Sequence, residues 1–345
     1  MSASPSTPAP EAAEAQALAV EPAPPVASAV LPTPGEVITS ALTGNTYTIG
    51  ELIGQGTFGI VHACVDDWNN QLAAKVLKPT KPPQEMQVAA LAEMNKLVAL
   101  RHPQITYFFD AFEYRDTCYI ITERCEYSVA ELLATDWFKG PVWTLAIARS
   151  LLQAVQFLHL NGYAHQDIHA ANVFALRARN EMNPAKTNAT QFRLGDLGVA
   201  KLFSEIRPEN TRAQWMLPPE VLNQSEYGAP DQRVDIYHCG LLLLQLEHSE
   251  ELRFTKEEIL EGKPRNMALE LRAPFNFALE KALRRHVSKR TETARELWRD
   301  LNSPAEAQVA ELPEAVPSPP PVMQPAEEPR SIQEPKRTIT NAEAE

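Results

Sequence analysis

The 345-residue sequence predicts an α+β fold lying between two disordered tails, and three observations carry that reading. Seventeen of its 29 prolines fall in residues 1–46 and 303–345, which also hold much Ala, Glu and Ser and almost no aromatic residues. Such segments cannot bury enough apolar surface to fold. Short, partly β-branched runs around a polar turn occupy residues 60–77, the pattern of a β-hairpin. Helical spacing follows over residues 88–100 and 145–159, and residues 236–246, apolar all round, read as a buried helix. The ordered unit is expected over residues 47–302, with no internal repeat.

Composition narrows the classes of function. A hydrophobic content of 44% supports one large core or two modest ones. Of the formal charge of −12, residues 1–40 hold −4 and residues 303–345 hold −5, so the central unit is nearly balanced and has no electrostatic case for binding nucleic acid. Cys64, Cys118, Cys125 and Cys239 lack metal-ligand spacing and are too few for a disulfide framework, which points to a reducing, cytoplasmic setting. The longest apolar run, Gly240 to Leu246, is too short to span a bilayer, and the N-terminus lacks a basic stretch before an apolar one, so no membrane association is expected. Pro317-Ser318-Pro319-Pro320-Pro321 reads as a stiff solvated linker; the alternative is a polyproline II ligand for a protein partner.

Gly54-Gln55-Gly56-Thr57-Phe58-Gly59 is the first chemical signal, because missing side chains let backbone N–H groups approach phosphates. A dinucleotide-binding loop enters a helix after its glycines, whereas here Ile60 to Val65 runs into the turn Asp66-Asp67-Trp68-Asn69-Asn70. The returning strand, Leu72 to Leu77, sets Lys75 among small and apolar neighbours, where an unpaired ammonium is costly. Helical spacing over Val88 to Leu100 puts Glu93 on one face with Leu97 and Leu100, as a partner for that lysine.

With Arg101-His102-Pro103 behind that helix, the chain resembles a eukaryotic-type protein kinase. The resemblance implies that Lys75 bridges to the α- and β-phosphates of ATP and that Glu93 holds Lys75. Ile53, Gly54, Gly56 and Gly59 would line the nucleotide, and Val61 and Ala73 would cover the adenine. Tyr119-Ile120-Ile121-Thr122-Glu123 looks like the strand entering the hinge between lobes, with Thr122 as a small gatekeeper. Glu123, Cys125 and Phe174 complete the expected ATP-binding set.

His165-Gln166-Asp167-Ile168-His169-Ala170-Ala171-Asn172 follows an amphipathic helix, Leu145 to His159, that Asn161-Gly162 terminates. It resembles the family's catalytic loop, which implies that Asp167 orients the attacking hydroxyl and that Asn172 is a Mg²⁺ ligand. A zinc pair, His165 and His169, is a rival reading, but neither the glutamate nor the continuous helix of a metalloprotease motif is evident. In Leu194-Gly195-Asp196-Leu197-Gly198, Asp196 is expected to chelate Mg²⁺, with Leu197 where the family usually has phenylalanine, packing against Leu97 and His165. Residues 177–190 exceed the usual length and read as a surface insertion.

Glu220, Asp235 and Arg290 occur in the family's order. Asp235 is expected as the N-cap of a buried helix over residues 236–246, and Glu220 with Arg290 as a buried ion pair. Two departures stand out. Gln166 replaces the arginine that binds a phosphorylated activation loop, so Ser204 and Thr211 are expected to be dispensable. His169 replaces a lysine that contacts the transferred phosphate, which implies slower transfer.

The resemblance implies a two-lobed protein-kinase-like fold, with a small β-rich N-lobe over 47–123 and a helical C-lobe over 124–302. It implies ATP and Mg²⁺ as cofactors and a protein substrate phosphorylated on Ser or Thr. A pseudokinase scaffold and a small-molecule phosphotransferase remain the alternatives, and tyrosine acceptors stay open.

Overall fold

The computed structural model describes residues 31–55, 59–77, 98–115, 117–178, 189–210 and 216–303. Its N-terminal part is a six-stranded antiparallel sheet in the order β1-β2-β3-β4-β6-β5. The strands are β1 (Val37–Thr39), β2 (Thr46–Gln55), β3 (Gly59–Asp66), β4 (Gln71–Leu77), β5 (Phe108–Tyr114) and β6 (Thr117–Glu123). The expected hairpin is β3 and β4, joined through Asn69 at φ 63° and tied by Asp66, which accepts from the N–H groups of Trp68 and Asn70.

β1 corrects the expected tail boundary at residue 46. Ile38 is buried in the sheet's core, Gly35 donates to the Ile49 carbonyl at 2.7 Å, and Thr43 and Tyr47 both donate to the buried Asp110 carboxylate, at 2.6 and 3.0 Å. Three isolated residues of strand carry little periodicity, so this edge is invisible in the sequence. The helix expected over 88–100 lies outside the described residues apart from its last residues.

The C-terminal part is helical. Its main elements are α1 (Val129–Leu133), α2 (Gly140–Leu160), α3 (Pro219–Leu222), α4 (Gln224–Tyr227), α5 (Arg233–His248), α6 (Lys256–Glu261), α7 (Lys263–Leu269), α8 (Phe275–Ala282) and α9 (Ala294–Leu301). Short strands β7 (Tyr127–Ser128), β8 (Tyr163–Ala164), β9 (Val173–Ala178), β10 (Ala189–Leu194) and β11 (Lys201–Leu202) lie among them. β9 and β10 form a hairpin that extends into the expected insertion, whose centre lies outside the described residues.

α2 and α5 form the centre of this lobe. α2 begins five residues before the expected Leu145, at Gly140, which sits so close to α5 that a Cβ there would lie 1.9 Å from the Leu246 carbonyl oxygen. It ends as expected, with Asn161 as cap and Gly162 at φ 78°. α5 is buried from Val234 to Leu246, as an all-round apolar helix must be. Its N-cap is Gln232 rather than Asp235, which falls inside the first turn. No described helix is long and apolar enough to cross a membrane.

Candidate active site

Alternation along β3 and β4 sorts their side chains between two faces. Ile60, Cys64, Leu72, Ala74 and Val76 are buried in a cluster with Tyr47, Phe112 and Tyr119. Val61, Ala73 and Lys75 therefore share the opposite face, toward the helical lobe. Register joins them there: Val61 is opposite Lys75, and Ala73 is opposite Thr122 of β6. Gly54 pairs with Val61, and Ile53 beside it is 38% exposed. Gly59 permits a close strand approach, since a Cβ there would stand 2.5 Å from the Val76 carbonyl oxygen. Gly56 and Glu93 lie outside the described residues.

Past β6 the chain turns toward the helical lobe. The Glu123 carboxylate accepts from the Tyr107 N–H at 2.7 Å and from Arg193 Nε at 3.2 Å, so it ties β6 to β10. The Cys125 thiol is pushed up to about 12, chiefly by burial, and is a poor nucleophile at neutral pH. Phe174 of β9 packs on Gly195, where a Cβ would meet its ring at 2.5 Å.

The loop between β8 and β9 is held from below by Asp235. Its Oδ2 accepts from the His165 N–H and from His159 Nε2, both at 2.8 Å, and its Oδ1 accepts from the Gln166 N–H at 2.7 Å. Burial pushes the Asp235 carboxyl up, but these donors and the nearby histidines outweigh it and hold it below the usual range. This pull explains why Asp235 does not cap α5: its oxygens serve the loop. Gln166 adopts φ 66°, in the left-handed region that side-chain-bearing residues seldom occupy.

Asp167, His169 and Asn172 then meet. Asn172 Nδ2 donates to the Asp167 carbonyl at 2.8 Å and to Asp167 Oδ2 at 3.3 Å. His169 Nδ1 accepts from the Ala171 N–H at 3.2 Å, and its Nε2 lies 3.1 Å from Asn172 Nδ2 and 3.5 Å from Asp167 Oδ2. Burial raises the Asp167 carboxyl, yet the His169 hydrogen bond and the charges of His169, His165 and His238 outweigh it and keep it ionised.

Asp196 stands across from this loop at φ 55°, with its Oδ1 2.9 Å from Lys75 Nζ. Burial again opposes ionisation, and Lys75 more than offsets it. The Gly195 N–H donates to the Asn172 carbonyl at 2.8 Å, and His165 Nε2 contacts the Gly195 carbonyl at 2.9 Å. An unbroken path of contacts thus links Lys75, Asp196, Asn172 and Asp167. With the Asn172 amide nitrogen directed at Asp167 and His169, its Oδ1 is turned away from them and, like the Asp196 carboxylate, supplies hard oxygen, the donor type Mg²⁺ selects. These residues fit that ion.

His165 serves the protein rather than zinc, for its Nε2 contacts Gly195 and its Nδ1 accepts from the Asp167 N–H at 3.3 Å. Among the described residues no cluster of three His, Cys, Asp or Glu side chains is placed to hold a metal. Leu197 is buried, as expected, while Leu97 lies outside the described residues. The Glu220–Arg290 pair is present, with two contacts of 2.7 Å and both side chains fully buried.

Asn210 was not foreseen. Its Nδ2 donates to Gln166 Oε1 at 3.0 Å and to the Glu205 carbonyl at 3.1 Å, joining the segment after Asp196 to the catalytic loop. No local pattern marks such a residue, 44 positions from its partner.

A family model for the protein kinase domain matches residues 47–308. Cyclin-dependent kinase D-1 of Arabidopsis thaliana is 26% identical over 207 residues, which are 58% of this chain and 48% of that protein. Serine/threonine-protein kinase TAO3 of Rattus norvegicus is 28% identical over 199 residues, 56% of this chain and 21% of the relative. The membrane-associated tyrosine- and threonine-specific cdc2-inhibitory kinase wee-1.3 of Caenorhabditis briggsae is 28% identical over 214 residues, 60% and 30% of the two chains. The match therefore spans half or less of each relative's length. With the β-rich sheet above a helical lobe, and the family model covering most of the sequence, the chain belongs to the protein kinase family.

Proposed function

We propose that this chain is an ATP- and Mg²⁺-dependent protein kinase that transfers the γ-phosphate to Ser or Thr hydroxyls of protein substrates. One observation carries the reading: Lys75, Asp196 and the loop that holds Asp167 and Asn172, three separate stretches of the sequence, are joined by one path of contacts. Phosphoryl transfer needs little covalent chemistry from the protein; it needs cationic and hydrogen-bond positioning of the phosphates and a carboxylate beside the acceptor.

In this reading Val61, Ala73 and Thr122 enclose the adenine, with Ile53 and Gly54, Gly56 and Gly59 above it and Phe174 below. The backbone at Glu123 and Cys125 meets its polar edge. Lys75 leaves Asp196 in part to take the α- and β-phosphates, with Glu93 as its further partner. Asn172 Oδ1 and Asp196 hold Mg²⁺, which neutralises phosphate charge when bound. Asp167, kept ionised, orients the acceptor hydroxyl and receives its proton. The His169 imidazole beside it supports the Asp167 carboxylate. The printed name of the TAO3 relative favours Ser/Thr acceptors.

In this reading the catalytic unit spans residues 47–302, with its N-lobe at 47–123 and the strand β1 ahead of it, and the proline-rich segments on either side offer sites to protein partners. A cytoplasmic location is supported by four free cysteines.

The deciding measurement incubates purified protein with labelled ATP, Mg²⁺ and generic protein substrates and identifies the phosphorylated amino acid. Label on Ser or Thr that disappears in Lys75→Met and Asp167→Asn supports the proposal. Absence of Mg²⁺-dependent transfer, with nucleotide binding retained, would instead make the chain a scaffold.

A further inference from the structure

Where His102 stacks on Phe157, α2 and α9 border a groove of about 360 Å³. Leu152, Phe157 and Leu160 of α2 and Trp298 of α9 give it an apolar lining, and Leu160 is left 72% exposed. Arg149 and Arg295 line the same groove and no carboxylate does. Neither arginine has a carboxylate partner among the described residues. An apolar channel carrying two arginines with no carboxylate partner among the described residues calls for an extended segment with acidic and apolar residues interleaved.

The chain itself supplies one. α9 ends at Leu301, and soon afterwards come Glu306, Glu311 and Glu314, alternating with Val309, Leu312 and Val316, with no Lys or Arg before Arg330. Arg295 lies about 12 Å back along α9 from Ser303 at ~1.5 Å per helical residue. Extended chain covers ~3.3 Å per residue, so about four residues suffice to return that far. A short tether of this kind confers an effective concentration on the order of millimolar, which makes even a weak contact occupied.

We infer that the segment Glu306–Val316 docks in the α2–α9 groove of its own chain, with Val309 and Leu312 on the apolar lining and Glu311 and Glu314 against Arg149 and Arg295. The inference is independent of catalytic activity.

Disulfide trapping in the full chain tests it. Gln153→Cys, exposed in the groove, is paired with Val309→Cys; the control pairs Val309→Cys with Arg299→Cys, exposed on α9 outside the groove and nearer the start of the segment. Native thiols compete poorly, because burial pushes Cys64 and Cys125 up to about 12 and raises Cys118 and Cys239. Docking predicts that the Gln153 pair closes within one chain at least about tenfold faster than the control, an excess that tethering alone does not give. Arg149→Glu with Arg295→Glu should erase the excess, and adding Glu311→Arg with Glu314→Arg should restore it. Equal rates, indifference to charge reversal, or a disulfide formed only between two copies overturns the inference.

Discussion

Asp235 receives the Gln166 N–H at 2.7 Å across 69 residues of sequence, so the catalytic loop hangs from the first turn of the buried helix α5. His165, Gln166 and Asp235 are all fully buried, leaving these N–H groups no access to water. Asp235→Ala should therefore orphan two backbone donors, at about 1–3 kcal/mol each. Hydrogen exchange at residues 165 and 166 should accelerate along with a drop in unfolding free energy. Unchanged exchange at these amides in a folded Asp235→Ala variant would show that something else holds the loop.

The Glu220–Arg290 pair predicts an asymmetry between single and double variants. Glu220→Ala leaves the Arg290 guanidinium buried and uncompensated, which should cost about 3–5 kcal/mol. Glu220→Leu combined with Arg290→Met removes both charges and should recover most of that loss. Urea denaturation measures each; a double variant as weak as the single one would mean that the hydrogen bonds of Arg290 to the Arg233 and Arg284 carbonyls matter more than the ion pair.

Acid should unfold this protein through its carboxylates. Asp167, Asp196 and Asp235 are held below their ordinary range in the fold, so the unfolded chain binds more protons and stability rises with pH there. Their contribution is complete above the unfolded value of about 3.9 and is lost as pH falls through the lower folded values. In Lys75→Met, burial acts on Asp196 without its counter-charge and pushes its carboxyl up. The acid limb of the variant, followed by circular dichroism from neutral to acid pH, should shift to higher pH; an unmoved limb would show that Lys75 does not set the Asp196 ionisation.

A neutral hydrogen bond stands where a phosphate-dependent contact is usual. Asn210 links Gln166 to the Glu205 carbonyl, while Ser204 is exposed in the turn Phe203–Glu205. Asn210→Ala should lower turnover about three- to tenfold, the effect of roughly one hydrogen bond on docking of this segment. Ser204→Ala should leave turnover within about twofold, since its hydroxyl is outside that link. Thr211 lies outside the described residues and is tested with it in the double alanine variant. A large loss from Ser204→Ala or from the double variant would overturn phosphate-independent docking.

Local chemistry determined much of this protein on its own. The hairpin around Asp66, the end of α2 at Asn161-Gly162 and the burial of α5 follow from period, turn residues and apolar content, which act over a few residues and so are written in order along the chain. The family resemblance added the roles expected of Lys75, Asp167, Asn172 and Asp196. Tertiary structure alone decided that Asp235 serves the catalytic loop instead of capping α5, that Asn210 meets Gln166, that Gly140 allows α2 to lie against α5, and that β1 completes the sheet. Each of these depends on a partner tens of residues away, and a hydrogen bond or close contact leaves no periodic trace in the sequence that makes it.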